Sequence, residues 1–219
     1  MKNVLYIGSG KSAIMALDDK YNDWTKVCVN NAWRLFEDSN FYMWIHSGDF
    51  PRENFPRDRK CEVEVGYHGY SKTCEEAKEY FKWDVTSPQH HAGYTIFFQG
   101  LYHIMMEIRP NRIGLLGFDH DYNLDKVEKW IGDNKPNIQN KFNNKTEETI
   151  KEWSDNYFKD FDEDFFYGHG TPDPMRLGED YIIDKLKKCK INCDIMGIDL
   201  INLSNVSNNV TKILGDYYV

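Results

Sequence analysis

The sequence predicts an α/β fold, a Rossmann-like parallel sheet flanked by helices with a small helical lid or insertion. Three observations predict it. Apolar runs of strand length end in glycine or in polar clusters, and helical stretches separate them. The first run, Asn3 to Ile7, turns at Gly8 straight into Ser12 and the apolar Ala13, Ile14, Met15 and Leu17. Strands alternating with helices make a parallel sheet with right-handed crossovers. At 219 residues the chain is long enough for one domain with a lid and cramped for two. A hydrophobic content of 41% and an aromatic content of 15% supply the apolar surface of a core, which disordered compositions lack.

The remaining elements follow in chain order. Lys26 to Val29 is a second strand ending at Asn30-Asn31, and Phe41 to Ile45 a third ending at His46-Ser47-Gly48-Asp49. The charged stretch from Pro51 to Lys60 holds two prolines and reads as loop. Glu62 to Val65 makes a short strand, and Thr73 to Phe81 a helix with Glu75 and Glu76 at its positive end. Gly93 to Ile108 is apolar on most sides, as a helix lying on a sheet should be, with Gly100 permitting close packing. Arg112 to Gly117 is a buried strand that feeds the polar loop Phe118 to Tyr122.

Residues 123–165 are rich in Asn, Lys, Asp and Glu with amphipathic patches, and read as the helical lid. The α/β domain is then 1–122 together with 166–219. Pro174 to Cys189 repeats a helical pattern with Met175, Leu177, Tyr181, Ile182 and Leu186 inward, and Cys193 to Met196 reads as the last strand. The Asn and Lys bias points to an AT-rich genome, phage or bacterial.

The balance of 27 basic against 35 acidic residues leaves a net charge of -8, so the global field repels phosphate backbones and anionic membranes. No run approaches the ~20 apolar residues of a membrane helix, and the start turns to glycine too soon for a signal peptide. The expected location is the cytoplasm. Cys28, Cys61, Cys74, Cys189 and Cys193 are an odd, scattered set without CxxC spacing, which argues against a disulfide framework. A zinc site from Cys61, His68 and Cys74 lacks a fourth ligand.

In open parallel sheets ligands bind beyond the carboxyl ends of the strands, where strand order reverses. The loops there carry Gly8-Ser9-Gly10, Asn30-Asn31, His46-Ser47-Asp49 and Asp119-His120-Asp121-Tyr122. Gly8-Ser9-Gly10-Lys11-Ser12 is a poor phosphate-binding P-loop, because the place of its first glycine is taken by Leu5, inside the strand. The dinucleotide fingerprint fits better as Gly8-x-Gly10-x-x-Ala13, but the acid that should close the second strand is Asn30. A glycine turn at a helix N-terminus still lets backbone N–H groups approach a phosphate or ribose, with Ser9 or Ser12 donating.

Asp119-His120-Asp121 has the DxD form with which metal-dependent sugar transferases hold a divalent ion; Asp119 equally fits the role of ordering the loop backbone. His169 stands between Gly168 and Gly170, on an accessible loop where an imidazole can take a proton from a hydroxyl at neutral pH.

The ordered set of Leu5-Tyr6-Ile7-Gly8-Ser9-Gly10-Lys11-Ser12, Val29-Asn30-Asn31, Ala92-Gly93-Tyr94, Leu116-Gly117-Phe118-Asp119 and Tyr167-Gly168-His169 resembles the bacterial sialyltransferases of glycosyltransferase family 42. The resemblance runs along nearly the whole chain. It implies inverting transfer of a sugar from a CMP- or UDP-linked donor, without an obligatory metal, the nucleotide-sugar being donor substrate. It implies His169 as general base on the acceptor hydroxyl and Tyr122 as the group assisting the leaving phosphate. Gly8, Ser9 and Gly10 would line the donor phosphate and ribose, Asn30 would bond the nucleotide, and Ala92-Gly93 would lie beside the donor. Ser12, Asn31, Ser47 and Asp119 complete the set of candidate donor-binding residues. The sequence departs from the family at Ser9, at His91-Ala92-Gly93 and in the placing of Tyr122. The acceptor is a glycan or, in a phage, a modified DNA base, and a homo-oligomer is compatible with the sequence. A nucleotide-dependent phosphotransferase and a non-catalytic nucleotide-binding protein are the competing classes.

Overall fold

The computed structural model describes residues 2–36, 40–47, 61–67, 76–77, 79–80, 94–119, 179–207 and 210–214. Its centre is a six-stranded sheet. The strands are β1 (Asn3–Ile7), β2 (Thr25–Val29), β3 (Phe41–Ser47), β4 (Cys61–Tyr67), β5 (Arg112–Leu116) and β6 (Asp199–Asn202). All neighbours pair in parallel, in the order β4-β3-β2-β1-β5-β6. The chain moves outward from β1 to β4 and then returns to β1's other side with β5. The reversal of strand order therefore falls between β1 and β5.

A parallel sheet covered on both faces needs strands that are apolar on both sides, and β1 meets this with Val4, Leu5, Tyr6 and Ile7 all fully buried. Val4 and Tyr6 join one core cluster with Val27, Met43, Ile45, Ile113 and Leu200; Leu5 and Ile7 join a second with Cys28, Trp44 and Leu116. The first face carries the helix α1 (Tyr94–His103), a π-helical turn over Ile104–Ile108, and the helix α2 (Glu179–Ile195). The second carries short 3-10 helices over Lys11–Leu17 and Asn30–Phe36. The described part of the Thr73–Phe81 stretch is helical at 76–77 and 79–80, with Ala77 fully buried.

Tyr6 ties α1 to the sheet. Its hydroxyl donates to the carbonyls of Phe97 at 3.0 Å and Ile96 at 3.4 Å, and its ring stacks on Phe97. Gly100 makes this approach possible, since a Cβ there would run into the Tyr6 hydroxyl.

Three expectations change in detail. The helix after the glycine turn is 3-10 rather than α, and Asn30-Asn31 opens a second 3-10 helix rather than a loop. Asn30 stops β2 by adopting φ 48°, the left-handed region that Asn enters more readily than most residues. Ala32 and Phe36 of that helix bury their side chains in the second core cluster.

The third change is larger. Cys193 to Met196 is not the last strand, because α2 continues to Ile195 and the strand is Asp199–Asn202. Leu186, Cys189 and Cys193 recur at helical spacing and are all buried, so the apolar stripe carries the helix on. Gly197, at φ 71°, ends it. The Gly197 N–H donates to the Asp194 carbonyl at 3.0 Å and the Ile198 N–H to the Cys193 carbonyl at 2.8 Å, the paired bonds of a Schellman stop.

Candidate functional site

Beyond the carboxyl ends of β1 and β5 the two following turns cross in close contact. The Gly8 N–H donates to the Leu116 carbonyl and the Gly10 N–H to the Gly117 carbonyl, each at 2.8 Å. A Cβ on Gly8 would lie 2.5 Å from the Gly117 carbonyl oxygen, and Gly117 itself sits at φ 71°. Glycine is required on both sides of this crossing because the two main chains touch.

Asp119 locks the crossing. Its Oδ2 accepts from the Ser12 N–H at 2.8 Å, and its Oδ1 accepts from the Ser12 hydroxyl. The same Ser12 Oγ accepts from the Gly117 N–H at 2.8 Å, so its single proton is committed to Asp119. Both residues are buried, Asp119 at 6% exposure and Ser12 at 4%. Gly10 clears the space, since a Cβ there would sit 2.6 Å from Oδ2. The carboxylate thus fills the position at the start of the Lys11–Leu17 helix that an anion would take. Ser12 therefore serves this lock, and the turn's remaining polar groups are those of half-buried Ser9 and exposed Lys11.

One strand over, Asn30 and Asn31 close β2. The Asn30 carbonyl accepts from the Trp44 indole at 2.8 Å, which pins the left-handed residue in place. Asn31 is 7% exposed, and its Oδ1 has no hydrogen-bond partner among the described residues. A buried acceptor without a donor is costly and marks a place where a ligand or water completes the bonding.

Further along the rim, the His46 imidazole stacks on Trp44 with ring centroids 4.4 Å apart, and its Nε2 lies 3.4 Å from Oε1 of Glu64. Gly66 gives the imidazole room, as a Cβ there would approach it to 3.0 Å. Ser47 is the last residue of β3. The structure thus brings Gly8, Ser9, Gly10, Ser12, Asn30, Asn31, Ser47 and Asp119 to one rim of the sheet. His169, Tyr122, Ala92, Gly93 and Asp121 lie outside the described residues, as does the lid over 123–165. No family model, curated protein or solved structure significantly matches the chain.

Sequence reasoning missed the bond between Ser12 and Asp119 and the pairing of His46 with Glu64. The second had a signal. Glu62 and Glu64 alternate with Val63 and Val65, which puts the acids on one face of an edge strand beside β3. The first had none, because the partners are far apart in sequence and meet only when β5 pairs with β1.

At the opposite rim polar contacts tie the strand starts together. Arg112 Nε donates to Asp199 Oδ2 at 2.9 Å, and the Lys2 N–H donates to Asn111 Oδ1 at 3.2 Å. Among the described residues no group of three or more His, Cys, Asp or Glu could hold a metal ion, and no helix is long and apolar enough to cross a membrane.

Cys28, Cys189 and Cys193 behave as core residues. Cys28 and Cys189 are buried, and burial pushes both thiols well above their ordinary range; Cys193 is pushed up to about 12 by the same cause. A thiol held protonated in the fold but ionising near 9 when unfolded favours the folded state up to pH 9 and withdraws that support as pH rises toward 12. Iodoacetamide at pH 8.5 should therefore leave Cys28, Cys189 and Cys193 unmodified in the native protein and alkylate all three in urea. Peptide mass spectrometry reads the result, and native labelling at the unfolded rate would contradict the burial.

Proposed function

We propose that the protein is a glycosyltransferase that moves a sugar from a pyrimidine nucleotide-sugar, CMP- or UDP-linked, to an acceptor hydroxyl with inversion. One observation carries the reading: the reversal of strand order lies at the glycine turn, with Asn30 and Asn31 on the same rim. That is where nucleotides bind in open parallel sheets. Gly8, Ser9 and Gly10 line the donor, and Asn31 offers its buried Oδ1 to a donor group on the nucleoside.

In this mechanism His169 removes the proton from the acceptor hydroxyl. The oxygen attacks the anomeric carbon, and the bond from that carbon to the phosphate oxygen breaks. Tyr122 donates a hydrogen bond to the departing phosphate. The acceptor is a glycan or a modified base in phage DNA, and the chemistry is cytoplasmic because nucleotide-sugars are made there. A divalent ion on Asp119 and Asp121 is disfavoured, since Asp119 is turned toward Ser12. The same lock disfavours a phosphotransferase, whose β-phosphate would need the position Asp119 fills.

Thermal melting with CMP, UDP, ATP and NAD tests the reading. A pyrimidine nucleotide at 100 times its dissociation constant should add about 2.7 kcal/mol. Preference for ATP or NAD would reject it.

A further inference from the structure

We propose that the outward face of α2 is the contact surface of a two-fold dimer, in which the helix packs antiparallel against α2 of a second copy of the chain. The large apolar residues exposed among the described residues are Ile14, Leu17, Ile191, Ile195 and Met196. Three of these five lie at or just past the C-terminal end of α2. A surface helix turns charged and polar residues outward, yet here Ile191 is 57% and Ile195 78% exposed, one turn apart.

Helical spacing sets the face. Leu186, Cys189 and Cys193 point into the core. At about 3.6 residues per turn, Asp184 and Ile191 lie on the side directly away from them, with Lys188 and Ile195 along one edge and Lys187 and Asp194 along the other. Asp184 is paired with Lys188 at 2.8 Å, and Asp194 with Lys190. Lys187 is exposed and has no ion pair among the described residues.

The occupant follows from the order of these groups. A two-fold axis between antiparallel helices sets each edge of the face against the same edge of the other copy. Lys187 and Asp194 share an edge, two turns apart, with Ile191 close to their midpoint. With the axis beside Ile191, the two Ile191 side chains meet and Ile195 lies on the aliphatic stem of the partner's Lys188. The ammonium of Lys187 then reaches the partner's Asp194 and the negative end of the partner helix. A partner carrying one sign of charge would oppose either Lys187 or Asp194, whereas a second copy satisfies both. One pair of helices buries less than the ~1,600 Å² of a standard interface, so the dimer is a weak one that forms at concentrations on the order of tens of micromolar. The net charge of -8 on each copy adds a repulsion that physiological salt screens.

Sedimentation velocity of the full-length protein at physiological salt, from about 1 to 300 µM, tests this. Wild type should pass from monomer to dimer over that range. Ile191→Lys should keep the wild-type melting temperature, because the residue is exposed, and should raise the dissociation constant about tenfold or more. Should it disturb folding, Ile195→Lys is read in its place. Ile14→Lys, in the helix on the other face of the sheet, should dimerise as wild type does. Lys187→Asp should weaken the dimer several-fold, and adding Asp194→Lys to it should restore the affinity, since the edge pairs re-form with their signs exchanged. A monomer throughout the range overturns the proposal, as does growth beyond a dimer, because a two-fold contact closes on itself. A dimer left unchanged by the isoleucine substitution, not weakened by Lys187→Asp, or not rescued by Asp194→Lys also overturns it.

Discussion

Replacing Gly100 with alanine is expected to destabilise the protein by about 3–5 kcal/mol, although alanine is the better helix former by ~1 kcal/mol. The added methyl would occupy the position of the Tyr6 hydroxyl, which is fully buried beneath α1. Either the ring leaves its rotamer and gives up its bonds to the Ile96 and Phe97 carbonyls, or α1 rises off the sheet and opens voids around Ile45 and Phe97. Both cost more than the helix propensity returns. Domains of this size are stable by roughly 5–15 kcal/mol, so the variant should lie near the edge of folding.

A double-mutant cycle separates this mechanism from general damage. Tyr6→Phe alone should cost about 1 kcal/mol through the lost hydrogen bonds. In the Gly100→Ala background it should stabilise, because the atom in the way is gone. Urea denaturation of the four proteins gives the answer, and additive losses would mean that the two residues do not collide.

The second large effect is on rate. His169→Ala should lower sugar transfer by about 10²–10⁴ while leaving donor binding intact, since loss of a general base removes proton transfer from the transition state and little from the ground state. The measurement is turnover with a donor already established by melting, together with its dissociation constant. Near-normal turnover would remove His169 from the mechanism. A parallel loss of donor affinity would make it a binding residue instead.

Much of the fold was legible because a doubly covered parallel sheet writes itself as short continuous apolar runs. Asn3 to Ile7, Phe41 to Ile45 and Arg112 to Gly117 each became a strand with nearly those bounds. The last strand was misplaced for a physical reason. Cys193 and Ile195 look like strand residues in isolation, whereas the decisive signal was Gly197, whose positive φ ends a helix and leaves Ile198 to Leu203 as the apolar run.

The site was legible only in part. Its described residues, Gly8, Ser9, Gly10, Ser12, Asn30, Asn31, Ser47 and Asp119, lie at or just past the strand ends where the glycine turn and the polar clusters placed them, although Asn30 and Asn31 open a helix instead of a loop. Their partners were not readable, because Ser12 and Asp119 are joined by the pairing of β1 with β5 rather than by local pattern.

Binding of a pyrimidine nucleotide at the carboxyl rim of the sheet, as proposed, should be visible in melting with CMP and UDP when Asn31→Ala is compared with wild type. Removing a buried acceptor that has no partner among the described residues should leave the ligand-free melting temperature nearly unchanged. Wild type should be stabilised by one of the two nucleotides and Asn31→Ala should lose most of that gain, while Arg112→Ala at the opposite rim should keep it. Equal stabilisation of Asn31→Ala and wild type, or stabilisation that Arg112→Ala abolishes, would contradict it.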